Sequence, residues 1–243
     1  MKKLGSLALG ALCLVSCSTT SLFAQSCPMA AKQACCAAQK CAHPDTKGWT
    51  TLFKEDLSNA IAPKGVWKFD KDGVLFANKD QAIWTDRPYE NFVLDFEYLH
   101  GTSGNSGVLL YCEKKFLNNW IPNAVEVQLL DDDRYPKNPL YRKTGSLYGH
   151  LGPKESVAVA PGTWGRMTIT AKGSKIRVVA NGKLAVDGDL STMTSAKKNP
   201  DGTDICPWLS RPWSDLPTKG YIGFQGTHGS SGVRFRSIKI KEL

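Results

Sequence analysis

The stretch Ile176-Arg-Val-Val-Ala-Asn-Gly-Lys-Leu-Ala-Val186 decides the fold class. Ile176, Val178 and Ala180 alternate with residues of the other face, Asn181-Gly182 interrupts, and Leu184 and Val186 resume the pattern. A period of two means a strand buried on one face, because successive side chains leave a strand on opposite sides. Asn-Gly between two such runs means a tight hairpin. Both central residues of that turn need positive φ, which Asn and Gly tolerate best.

The same period recurs along the chain. Phe92, Leu94, Phe96 and Tyr98 alternate with Val93, Asp95, Glu97 and Leu99. Val125, Val127 and Leu129 alternate with Glu126, Gln128 and Leu130, and Met167, Ile169 and Ala171 form a third set. At the C-terminus Val233 and Phe235 share one parity while Ile238 and Ile240 take the other, so a bulge at Arg236-Ser237 is expected. Glycines punctuate these runs, and no window of ten or more residues carries a capped helical stripe. About a dozen short strands with such turns predict a sandwich of two antiparallel sheets. The segment Leu190 to Lys219 holds Pro200, Pro207, Pro212 and Pro217 and reads as a long covering or functional loop.

With 42% hydrophobic and 22% charged residues over 243 positions, the chain is neither disordered nor fibrous. A single run, at the very start, is apolar enough to enter a bilayer, which excludes a multi-span membrane protein. The excess of 31 Lys and Arg over 22 Asp and Glu is scattered along strands, as at Arg166, Arg177, Arg234, Arg236 and Lys239. That pattern marks solvated faces and protected edges and gives no nucleic-acid site.

Met1-Lys2-Lys3 followed by apolar Leu4 to Val15 has the form of a signal peptide. Two cleavage readings stay open. Leu14-Val15-Ser16-Cys17 resembles a lipobox, which makes Cys17 the lipidated N-terminus; Leu22-Phe23-Ala24 before Gln25 resembles an ordinary cleavage site. Either predicts export, as a periplasmic protein or an outer-membrane lipoprotein whose membrane contact is the lipid on Cys17. Residues 25–47 then form a Cys-rich tether with Cys27, Cys35, Cys36, Cys41 and His43, whose spacing matches no zinc finger. The expected organisation is therefore a signal peptide over 1–24, a tether over 25–47 and a sandwich domain over 48–243. Cys112 and Cys206, in the body of an exported protein, leave a disulfide open.

Candidate chemistry sits on strand faces and in glycine-rich loops. Glu126 and Gln128 lie ~7 Å apart on one face of a strand, and Asp95 and Glu97 pair likewise on another. If those strands are neighbours, carboxylates line a groove suited to acid–base work on a sugar. His228, in Gln225-Gly-Thr-His-Gly229, and His150, after Tyr148-Gly149, are the histidines best placed to reach a ligand. Trp84, Trp120, Trp208, Trp213 and Tyr148 offer rings on which a sugar could stack. The Asp131-Asp132-Asp133 run lacks the further ligands of a calcium loop. No nucleophile elbow, His-Glu-x-x-His, P-loop or dinucleotide fingerprint occurs.

Eight motifs in order carry a family likeness: Gly48-Trp-Thr-Thr-Leu-Phe, Asn105-Ser-Gly-Val, Val125-Glu-Val-Gln-Leu-Leu-Asp131, Thr144-Gly-Ser-Leu-Tyr148, Gly162-Thr-Trp-Gly, Val179-Ala-Asn-Gly-Lys, Gly223-Phe-Gln-Gly-Thr-His228 and Val233-Arg-Phe-Arg-Ser-Ile-Lys-Ile. From about residue 48 to 243 the chain resembles the 3-keto-disaccharide hydrolase domain family. The resemblance implies an all-β, concanavalin-like jelly roll of two antiparallel sheets. It also implies cleavage of glycosides already oxidised at C3. By resemblance and strand position, Glu126 would be the base or a metal ligand and His228 its acid–base partner. Asn105 and Gln128 would hold hydroxyls or the enolate oxygen, with Tyr148, Asp131 and Gln225 also binding substrate. No cofactor is implied with certainty, and a divalent metal on Glu126 and Asp131 stays open. The Cys-rich tail and the length of the Leu190–Lys219 loop depart from the family pattern. A non-catalytic carbohydrate-binding protein of the cell envelope is the competing expectation.

Overall fold

The computed structural model describes residues 41–243. The expected signal peptide and most of the tether, with Cys17, Cys27, Cys35 and Cys36, lie outside the described residues. Fourteen strands follow in chain order: β1 Thr50–Thr51, β2 Ala60–Ile61, β3 Trp67–Phe69, β4 Leu75–Ala77, β5 Ile83–Thr85, β6 Phe92–His100, β7 Gly104–Cys112, β8 Val125–Leu130, β9 Gly165–Lys172, β10 Lys175–Ala180, β11 Lys183–Asp189, β12 Tyr221–Phe224, β13 His228–Gly229 and β14 Val233–Glu242. The helical turns among the described residues are short 3-10 pieces, and none could cross a membrane.

Two antiparallel sheets result. The larger runs β11-β10-β9-β6-β14-β4-β3, with β1 also on β14. The smaller runs β13-β7-β12-β5-β2, with β8 on the far side of β7. The chain crosses between sheets after β1, β2, β4, β5, β6, β8, β11 and β13, as a jelly roll requires. The core lies between the sheets. Phe224 of the small sheet meets Phe96 and Phe235 of the large one at 5.5 and 4.8 Å between ring centres, edge to face. Phe53 closes the cluster at 5.8 Å from Phe224. Such pairs add about 0.5–1.5 kcal/mol each beyond the area they bury.

The local readings hold where local rules act alone. Asn181 and Gly182 have φ of 53° and 77°, the hairpin turn their order predicts. The ladder of β6 and β14 shifts register between Arg236 and Lys239, with Ser237 at φ 52°, so both apolar parities of β14 reach the core. The grouping of carboxylates does not hold. Asp95 and Glu97 lie on β6, in the large sheet, whereas Glu126 lies on β8, in the small one. Asp95 is buried against Arg166 at 3.0 Å, and Glu97 pairs with Arg236 at 2.9 Å. Period two tells which face a residue takes and not which sheet its strand joins.

Residues 41–47 pack onto the large sheet. Gly182 N–H donates to His43 Nε2 at 3.1 Å, so the His43 proton is on Nδ1, facing Thr168 Oγ1 at 2.7 Å. Thr168 in turn donates to Asp95 at 2.5 Å. Arg166 also reaches the Pro44 carbonyl at 2.7 Å. Burial, then the Arg166 charge, holds the His43 imidazole below its ordinary pKa. Cys112 and Cys206 are unpaired thiols in two separate apolar clusters, so no disulfide joins them.

Candidate active site

The outer face of the small sheet carries the polar residues that period two turns away from the core. On β8, Val125, Val127 and Leu129 enter the core, which sends Glu126 and Gln128 outward. Two glycines clear space on the neighbouring strands. A Cβ at Gly107 of β7 would stand 2.3 Å from Glu126 Oε1, so the Glu126 carboxylate lies across β7 where a side chain is missing. A Cβ at Gly223 of β12 would stand 2.5 Å from the Trp84 ring, so the Trp84 indole lies across β12 in the same way.

Asp80 joins this face from the β4–β5 connection. Gly226 makes the approach feasible: a Cβ there would meet the Lys79 carbonyl at 2.1 Å. Thr227 N–H donates to that same carbonyl at 3.0 Å, and Thr227 Oγ1 donates to the Ala77 carbonyl at 2.9 Å. With the loop held there, Asp80 takes His228 Nδ1 at 2.5 Å and Gln225 Nε2 at 3.5 Å. His228 in turn pairs with Asn105 across β13 and β7.

The electrostatics follow from this crowding. Glu126 keeps partial solvent exposure, yet the surrounding protein strips water from its carboxylate, and Asp80 adds a like charge. Both raise its pKa, to about 8, with desolvation the larger cause. Tyr148 is drawn beside Glu126 by its N–H, which donates to the Glu126 carbonyl at 2.9 Å. Burial, with Cys206 and Glu126 nearby, pushes the Tyr148 phenol up to about 12, so it remains a proton donor at neutral pH.

Beside this group opens a hollow of about 720 Å³, within the ~300–1,000 Å³ span of small-molecule sites. Trp84, Trp120, Ile61 and Leu117 give it apolar walls, and Lys114, Asn118, Asp80 and Gln225 supply polar groups. The segment after β7 builds one wall, because Phe116, Leu117 and Trp120 pack on Trp84 and Leu109 of the outer face. Asp80 therefore belongs both to the hollow and to the surroundings of Glu126.

The structure thus brings Glu126, Gln128, Asn105, Gln225, His228 and Tyr148 onto one face of one sheet. It keeps Asp131 apart. The Asp131 carboxylate accepts the Ser103 N–H at 2.8 Å and braces the β6–β7 turn, where Ser103 has φ 60°. Asp132 likewise accepts the Thr144 N–H at 3.0 Å. Among the described residues, no group of three or more His, Cys, Asp or Glu is arranged to hold a metal ion. His150 is buried and stacked on Trp213 at 3.7 Å, so it and Trp213 brace the Leu190–Lys219 loop. Burial lowers the His150 pKa to about 4. Trp208 stays half exposed outside the hollow. Asp80 and Lys114 were missed by the sequence reading, because they lie in connections that carry no periodicity.

Comparison with known proteins agrees with this architecture. The family described as the 3-keto-alpha-glucoside-1,2-lyase-like domain matches residues 44–241. A solved structure from Parabacteroides distasonis ATCC 8503, named a putative glycosyl hydrolase, shares 46% identity at a TM-score of 0.76; the match covers 80% of this chain and 99% of that one. A second structure from the same organism, under the same name, shares 25% identity at a TM-score of 0.66, over 84% of this chain and 99% of that one. Curated proteins returned no match.

Proposed function

Since the chain belongs to the 3-keto-alpha-glucoside-1,2-lyase-like domain family, we propose that it cleaves glycosides, and in particular glycosides oxidised at C3. The observation that carries this reading is the desolvated Glu126 carboxylate, with a pKa of about 8, beside the Asp80–His228 pair. A base tuned near neutral pH suits abstraction of a proton made acidic by a neighbouring ketone.

In this mechanism Glu126 removes the C2 proton, and the electron pair moves onto the 3-oxygen as an enolate. Tyr148, kept protonated by burial, and the amide of Asn105 are the donors to that oxygen. The enolate re-forms the ketone, the C1–C2 double bond forms and the C1–O bond breaks. His228, oriented by Asp80, gives the departing aglycone oxygen its proton. Water then adds at C1, giving one proton to the now neutral His228, while protonated Glu126 returns its proton to C2, so both groups are restored and the net change is hydrolysis. The hollow walled by Trp84 and Trp120 receives the aglycone or second sugar. We also read the chain as exported and lipidated at Cys17, which loss of lipid labelling in Cys17→Ala would support.

The test is release of a chromophore from a 3-keto-glucoside and from the unoxidised glucoside. Turnover of the first alone, lost in Glu126→Gln with folding intact, is the expected result. Equal turnover of both substrates, or an undiminished rate in the variant, would remove the elimination route. Tight sugar binding with no turnover of either would leave the carbohydrate-binding reading.

A further inference from the structure

One wall of the hollow is held from outside it. The connection from β7 to β8 carries Lys114, Leu117, Asn118 and Trp120 into that wall. Its backbone closes on itself. Phe116 N–H donates to the Glu113 carbonyl at 2.9 Å, Asn119 N–H to the Phe116 carbonyl at 2.7 Å and Asn123 N–H to the Trp120 carbonyl at 2.7 Å. Turns of this kind fix the shape of a connection and not its place. Apolar contact with Trp84 and Leu109 anchors it on one side, but such contact has no direction.

A directional anchor comes from the Leu190–Lys219 loop. Arg211 Nη1 donates to Asn123 Oδ1 at 3.1 Å and lies 3.9 Å from Glu113 Oε2, so one guanidinium reaches both ends of the connection. Its Nη2 donates to the Asp215 carbonyl at 2.6 Å, which ties it back to its own loop. The planar fork of arginine serves several acceptors in fixed directions, as a lysine ammonium does not. Asn123 is 7% exposed, and its Nδ2 donates to the Asn119 carbonyl at 2.9 Å, so Arg211 completes the partners of a buried amide. The loop behind Arg211 is firm. Trp213, two residues on, is buried and stacked on His150, and Ser214 N–H donates to the Met193 carbonyl at 3.2 Å. Among the described residues, no other side chain ties residues 113–123 by a hydrogen bond or ion pair to a distant part of the chain.

We propose that Arg211 is a positioning residue for the aglycone wall, through which the 190–219 loop favours substrates whose leaving group is a second sugar. A sugar leaving group extends into the hollow and meets Leu117 and Trp120, whereas a methyl group ends beside the acid–base residues. A wall already held in place needs no ordering when the sugar binds, so the benefit falls on the larger leaving group alone. The inference rests on the reading of the hollow as the aglycone site beside Glu126.

The whole protein is tested with Arg211→Ala. A trypsin pulse on the folded protein reads cleavage after Lys114 and Lys115, both exposed in the connection. Cleavage there should run about fivefold faster in the variant, because the open form is more populated. Kinetics then compare a 3-keto-disaccharide with methyl 3-keto-glucoside. The KM for the disaccharide should rise about tenfold with kcat unchanged, the mark of lost ground-state binding. Both constants for the methyl glycoside should stay as in wild type, which shows that the sandwich and the acid–base group are intact. An unchanged cleavage rate overturns the proposal. So does an equal loss on both substrates, which would mean that Arg211 only supports the fold. If wild type turns over neither substrate, the elimination mechanism alone is defeated, and calorimetry with the unoxidised disaccharide and methyl glucoside decides the role of Arg211. Extra affinity for the disaccharide that Arg211→Ala removes supports that role; the same two affinities in wild type and variant overturn it.

Discussion

Replacing Asp80 by Asn tests whether Glu126 is the base and whether its ionisation sets the rate. Glu126 has a pKa of about 8, raised first by lost solvation and then by the Asp80 charge. Its active form is the carboxylate, so roughly one molecule in a hundred is competent at pH 6 and about nine in ten at pH 9. The value of kcat/KM on a 3-keto-glucoside should therefore rise about tenfold per pH unit below pH 8, roughly ninetyfold between pH 6 and pH 9. Removing the Asp80 charge makes the Glu126 proton easier to lose, so the rising limb must move to lower pH. The same change leaves His228 a neutral amide oxygen in place of a carboxylate, a weaker hold on the imidazolium, so the plateau must fall. The assay is the pH profile of both proteins in buffers of constant ionic strength, with circular dichroism at each pH. A limb that stays in place in Asp80→Asn, or a wild-type profile flat from pH 6 to 9, would refute this assignment.

Three further outcomes follow from other parts of the molecule. His150 is neutral and buried, with a pKa lowered to about 4 from 6.5, so the unfolded chain binds more protons in that window. Its effect on stability is nil above pH 6.5 and grows to about 3 kcal/mol of destabilisation as pH falls to 4. His150→Phe, which keeps a ring on Trp213, should show a shallower fall of the urea midpoint between pH 7 and 4; a parallel fall would count against the linkage. Gly226→Ala should abolish turnover and lower the melting temperature, because its Cβ would meet the Lys79 carbonyl at 2.1 Å and push Asp80 from His228. Normal kinetics in that variant would show that the loop can yield. Phe224→Ala should cost about 3–5 kcal/mol in chemical denaturation, since its ring joins the two sheets; a loss below 1 kcal/mol would mean that the core closes over the gap.

The polar face of the site was legible in part. Alternation alone turned Glu126 and Gln128 away from the core, and the glycine-flanked loop singled out His228. The same alternation turned Asp95 and Glu97 outward, but onto the other sheet, where arginines claim them. Asp80 gave no sign, because a loop carboxylate becomes part of a site only when Gly226 lets its backbone come close. Asp131 looked like a member by nearness in sequence, yet one residue past the end of β8 its carboxylate is taken by a turn. His150 had a loop setting like that of His228, and stacking on a tryptophan of the distant 190–219 segment took it into the interior.

What the chain determines by itself is local: the strand faces, the Asn181-Gly182 hairpin, the bulge at Ser237 and the motifs that mark the family. These follow from φ preferences and from a side-chain period of two, which act within a few residues. What only the tertiary structure decides is which strands become neighbours and which polar groups are left dry beside one another. That outcome depends on contacts between residues far apart in sequence, such as Asp80 with His228 or Glu126 over Gly107. The raised Glu126 pKa is of the second kind, because desolvation and a like charge belong to the packed assembly and not to the residue.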